Sequence, residues 1–151
     1  MTLFPDIRFN EVSDGHRIAK LSGVAFNPLV DQCIARFNRD DGGLMGGVVY
    51  KDWTGVGGSI AMHVAGIRPR WVNRAMLWVC FDYPFNQLQV KKVFGAVPSY
   101  NKVAYEFDKH LGFQDEATIQ GVYPDGYLML LSMTREQCRF LDMPPRTFMK
   151  E

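Results

Sequence analysis

The chain has 151 residues, 47% of them hydrophobic and 22% charged, with a formal net charge of +1. That length and balance suit a single domain, 1–151, with a real core. The near-zero charge excludes bulk attraction to nucleic acid or to an anionic membrane. Three widely spaced cysteines, Cys33, Cys80 and Cys138, lack any Cys-x-x-Cys pairing. They argue against a disulfide framework or a zinc site, and for buried thiols in a reducing compartment.

Ile7 to Phe9 reads as a first strand. Ser13 and Asp14 are expected to cap a short helix carrying Ile18, Ala19 and Leu21, closed by Gly23. Asn27-Pro28 suggests a helical turn. Gln32 to Asn38 and Leu44 to Lys51 read as strands around the hairpin turn Asp40-Asp41-Gly42-Gly43. After a turn at Asp52 to Gly55, Gly57 to Ala65 reads as a third strand of this meander. Ser59, Ala61, His63 and Ala65 would share one face, and Ile60, Met62 and Val64 the other.

Arg70 to about Tyr83 is expected as a helix stopped by Pro84. Its apolar side chains fall on two stripes, so the run Ala75 to Phe85 is expected to be sandwiched or to offer a surface for a homodimer or another partner. A strand at Val90 to Val97 precedes a helix at Asn101 to Leu111. Ser99 and Asn101 are candidate caps, Gly112 is the stop, and Val103, Phe107 and Leu111 are expected to face the core. Ala117 to Val122 and Tyr127 to Met133 read as strands around Pro124-Asp125-Gly126. Thr134-Arg135-Glu136-Gln137 resembles a capping box opening a last helix, ended by Pro144-Pro145. No apolar stretch reaches the roughly 20 residues of a membrane span. The first residues also lack the pattern of a secretion signal. A cytoplasmic protein is expected.

Two segments carry chemistry. The first is Asn101-Lys102-Val103-Ala104 leading through a helix to Gly112-Phe113, directly after a strand. It resembles the Asn-x-x-Ala, helix, Gly-Phe unit of the GNAT superfamily of N-acetyltransferases. The second, Arg70-Trp71-Val72-Asn73-Arg74-Ala75, occupies the place of that family's Gln/Arg-x-x-Gly-x-Gly/Ala pyrophosphate loop. Arg70 and Ala75 fit, while Asn73 replaces the central glycine. A helix N-terminus suits an anion, because its unpaired N–H groups and dipole favour negative charge. Arg68, Arg70 and Arg74 add cationic donors there.

The element order matches the family throughout. The resemblance implies an α+β fold, with one mixed, mostly antiparallel sheet and helices on both faces. The C-terminal half looks nearest the ribosomal-protein alanine acetyltransferase branch, whose short members occur in bacteria and bacteriophages. It further implies acetyl-CoA as cofactor and direct acetyl transfer to a primary amine: a protein N-terminus, a lysine or a small molecule. Acetyl-CoA would meet Val64, Ala65 and Ile67 on the fourth strand, Arg70, Asn73, Arg74 and Ala75 at the loop, and Asn101 and Ala104. The alternative is a catalytically impaired relative acting as a CoA-binding or protein-interaction module, motivated by the departures at Asn73 and Asp108.

The family's frequent general acid is a tyrosine seven residues after the asparagine, and this chain has Asp108 there. With an ordinary pKa of about 3.9, Asp108 would be ionised, and would serve as a base or attract a cationic amine. Tyr105, one turn earlier on the same face, is chemically better suited as an acid. His63, on the strand that lines the family's active site, is the candidate proton relay from the amine. No carboxylate pair, metal cluster or Cys-His dyad is suggested by spacing.

Overall fold

The computed structural model describes residues 4–144. Seven strands form one sheet in the order β1-β2-β3-β4-β5-β7-β6. They are β1 Ile7–Phe9, β2 Gln32–Phe37, β3 Leu44–Lys51, β4 Ser59–Gly66, β5 Lys92–Pro98, β6 Gln114–Tyr123 and β7 Gly126–Thr134. Every neighbouring pair is antiparallel except β4 and β5. The helices are α1 Val12–Ser22, α2 Arg74–Asp82 and α3 Lys102–Leu111.

Strand alternation sorts side chains into two cores. On one face Ile34, Val48, Tyr50, Ile60, Met62, Val93, Leu131 and Met133 are buried beneath Met76, Val79, Cys80 and Phe81 of α2 and Leu111 of α3. On the other, Cys33, Ala35, Val49 and Ala65 are buried against Ile18 and Ala19 of α1. The helices thus cover both faces, as the resemblance implies. All three cysteines are buried free thiols, and burial raises Cys80 to about 12.

Several elements differ from the sequence reading for identifiable reasons. Helix α1 starts at Val12 after Glu11, without a side-chain cap. Asp14 is turned inward instead and holds Arg8 at 2.6 Å. Helix α2 starts at Arg74 rather than Arg70, because Arg70 adopts a left-handed φ of 62° that no helix accepts. Asn73 stands before it in extended geometry, and its side-chain oxygen accepts the Met76 N–H at 2.8 Å. Pro84 does not end the helical path, since a single π turn, Tyr83–Gln87, runs through it. A proline near the start of that turn loses no bond the turn requires.

Most of the apolar run from Ala75 to Phe85 is turned into the core, with Met76, Val79, Cys80, Phe81 and Phe85 buried. Val103 does not face the core; it is 83% exposed. Thr134 and Gln137 do exchange capping-box hydrogen bonds (2.9 and 3.3 Å), but they close a turn. Among the described residues only a short 3-10 helix follows, Arg139–Asp142. The expected stop at Pro144-Pro145 extends outside the described residues. Asn73→Ala is expected to cost about 1 kcal/mol of stability through loss of the cap, readable as a lowered urea midpoint.

Candidate active site

Parallel pairing between β4 and β5 covers only Ser59↔Lys92, Ile60↔Val93 and Ala61↔Phe94. Beyond that point β4 stays bonded to β3 as far as Gly66, and β5 stays bonded to β7 as far as Pro98. The two strands therefore part, and Met62 to Gly66 present a backbone edge that β5 does not satisfy. Unpaired strand N–H and C=O groups favour a polar partner. A cleft of about 810 Å³ occupies this gap. It is lined from β4 by Met62 to Gly66, from β5 by Ala96 to Pro98, from α3 by Asn101, Ala104 and Asp108, and from α1 by Leu21.

Of the residues singled out in the sequence, His63, Val64, Ala65, Ile67, Asn101, Ala104 and Asp108 line this one cleft. Asn101 caps α3, accepting the Ala104 N–H at 3.1 Å. Ser99 instead accepts the Tyr127 N–H at 3.0 Å, tying the end of β5 to β7.

Asp108 lies on the α3 side. Burial pushes its carboxyl up to about 7, so it is substantially protonated at neutral pH. The expectation of an ordinary, ionised carboxylate is overturned. Among the described residues it has no hydrogen-bond partner and no cationic partner that would hold the charge. Gly95 allows this placement, because a Cβ there would stand 2.8 Å from Asp108 Oδ2. An isolated glycine inside a strand signals such a close approach, and Gly95 is the sequence's one local sign of it.

His63 lies on the α1 side of β4, in register with Val49. Burial, then the positive charge of Lys51, lowers its pKa from 6.5. Its imidazole is neutral at pH 7. Asp108 and His63 therefore approach the gap from opposite faces of the sheet, one holding a proton and the other able to accept one.

Tyr105 does not reach the cleft. Its hydroxyl donates to Asp115 Oδ1 at 2.9 Å, and Asp115 also pairs with Lys109 at 3.2 Å. The bond to Asp115 raises the phenol pKa, which holds the proton more tightly.

The loop ahead of α2 also departs from expectation. Asn73, in the place of the family's central glycine, is extended, and the left-handed angle falls at Arg70. Arg36 donates to the carbonyl oxygens of Arg70 and Trp71 at 2.7 and 3.0 Å, fixing the loop. Arg68 is paired with Asp41 at 3.0 Å. Arg70, Asn73, Arg74 and Ala75 do not line the main cleft. Arg70 and Arg74 are exposed and have no ion-pair partner among the described residues.

Trp71, which the sequence reading passed over, does line the cleft. Its indole lies over the register pair Gly46↔Gly66, where an added Cβ would come within 2.5 and 2.4 Å of it. It also stacks on Phe107 at 6.0 Å, linking this loop to α3.

No protein-family model matches the sequence, and no curated protein sequence matches it. Solved structures match the fold. Spermidine N-acetyltransferase from Vibrio cholerae, in complex with CoA and spermine, superimposes with a TM-score of 0.66 at 13% identity, over 87% of this chain and 97% of that one. Ribosomal-protein-S5-alanine acetyltransferase from Vibrio fischeri gives 0.60 at 15% identity, over 74% of this chain and 65% of the other. A GNAT-family acetyltransferase from Bacillus anthracis gives 0.56 at 11% identity, over 84% and 87%. By these superpositions the chain has the fold of the GNAT acetyltransferases.

Proposed function

We propose that the protein is a cytoplasmic acetyl-CoA-dependent N-acetyltransferase that moves an acetyl group directly to a primary amine. The observation that carries this reading is the parted β4/β5 gap, with the buried Asp108 carboxyl on one side and the His63 imidazole on the other. The open edge of β4 from Met62 to Gly66, with Asn101 and Ala104 opposite, is shaped for an extended arm bearing amide groups. Arg70 and Arg74 stand free at the start of α2 for phosphates, beside the N–H groups of Arg74 and Ala75. Asn73 fits this role less well than glycine, because its side chain already occupies the Met76 N–H.

When bound, acetyl-CoA supplies an activated thioester. The acetyl carbon gains a bond to nitrogen and loses its bond to sulfur. His63 accepts the proton that the amine nitrogen sheds, and Asp108 gives its proton to the departing sulfur. Both return to their starting states by exchange with solvent. General acid–base assistance of this kind contributes about 10²–10⁴-fold.

A second reading, a CoA-binding or interaction module without turnover, is favoured by the Asn73 cap alone. Calorimetric titration with acetyl-CoA, together with thiol release in the presence of amines, separates the two. Binding at micromolar strength with turnover supports the enzyme. Binding without turnover across an amine panel supports the module, and absence of both sinks the acetyl-CoA reading.

A further inference from the structure

The lining of the cleft bears on which amine it takes. Among the described residues, only three that line it are charged or protonatable near neutral pH: His63, Arg68 and Asp108. Arg68 is turned to Asp41. Asp108 belongs to the α3 side, across the sheet from His63. On the side where His63 faces, the wall is made by Leu21 and Gly23 at the end of α1 and by Ala96 and Pro98 of β5.

Leu21, Tyr100 and Val103 stand at the mouth 58%, 63% and 83% exposed. Large apolar side chains held at the rim of a cleft mark a binding surface more often than chance exposure. Among the charges felt by His63, the largest effect comes from Lys51, ahead of the carboxylates Asp52 and Asp31. Asp31 is already paired with Lys51 at 2.5 Å and accepts the Asn27 N–H at 2.8 Å. Among the described residues no carboxylate lines the cleft on the His63 side to receive a second ammonium, and a cation buried without a partner is costly.

We infer that the acceptor is a monoamine carried on an apolar or aromatic body, and that polyamines are poor substrates. The inference rests on the acetyltransferase reading and narrows it. The amine enters past Leu21 and Tyr100, its single nitrogen reaches His63, and its apolar body stays against Leu21, Ala96, Pro98 and Val103. This differs from the polyamine named for the Vibrio cholerae structure, although the fold is shared.

The test is thiol release from acetyl-CoA with 2-phenylethylamine and with spermidine as separate acceptors. The expected kcat/KM is at least about tenfold higher for 2-phenylethylamine, the discrimination that a small apolar contact supplies. Leu21→Glu and Val103→Glu alter exposed positions and should leave the fold intact, as a melting curve would show. Each is expected to shift the ratio toward spermidine by about tenfold, equivalent to about 1.4 kcal/mol. Spermidine turnover at equal or higher efficiency, or a ratio unmoved by both carboxylates, overturns the inference and leaves the acetyltransferase reading standing. No thiol release with any amine removes both.

Discussion

Asp108→Asn is expected to lower kcat by about 10²–10³-fold at pH 6 while leaving acetyl-CoA binding within a few-fold. The amide keeps the shape of the carboxyl but cannot release a proton to sulfur. The pH profile separates this from a packing defect. Wild-type Asp108 loses its proton as pH rises through about 7, so its contribution fades above that value and the two proteins converge. The amine's own ionisation affects both equally, and the ratio of variant to wild type is therefore the quantity to follow.

Stability should move in the opposite sense. The folded carboxyl is raised from 3.8 to about 7, so the unfolded chain ionises first and folding weakens between those pH values. The charged form costs up to about 4 kcal/mol. Asp108→Asn should melt near wild type at pH 4 and above it at pH 8. Equal melting at pH 8 would show that the carboxyl is not held neutral. Gly95→Ala should reproduce part of the kinetic loss, because its Cβ would take the position 2.8 Å from Asp108 Oδ2.

His63→Gln is expected to lower kcat/KM by about 10²-fold near pH 7, with its deficit steady above neutrality and shrinking as pH falls below 6.5. The depressed imidazole pKa keeps the base in its working form across that range. The linkage sign is again explicit. A folded pKa below the unfolded 6.5 means that protonation favours the unfolded chain, so wild type loses stability as pH falls below that value. His63→Gln should lose less stability over the same range. A variant with unchanged kcat/KM would remove His63 from the chemistry and leave the amine to be deprotonated by solvent.

The strands were legible because their signals are local. Gly42 and Gly112 adopt left-handed angles at the turn and helix end where the sequence placed them, and the β4 alternation sorts Ile60 and Met62 from Ala65 as expected. What failed was set by tertiary contacts. Val103 has the right helical spacing for a core residue, but α3 leans on the sheet through Ala104, Phe107 and Leu111, leaving Val103 outside. The start of α2 moved because Arg36, distant in sequence, holds the Arg70 and Trp71 carbonyls.

At the site, the resemblance to the acetyltransferase family named Asp108 and His63. Their protonation states could not be read that way, because burial decides both. Tyr105 was favoured on intrinsic pKa, yet the neighbour that binds its hydroxyl, Asp115, sits on a different element. Trp71 carried no signal except two glycines, Gly46 and Gly66, whose missing side chains make room for it.

The central claim is that acetyl-CoA occupies the gap where β4 and β5 part. Hydrogen–deuterium exchange with and without acetyl-CoA tests it most directly. The account predicts slowed exchange confined to Met62 to Ile67, Val97 to Ala104 and the first turn of α2, with β1 and β6 unchanged. Unchanged exchange in the Met62 to Ile67 edge at millimolar acetyl-CoA would contradict it.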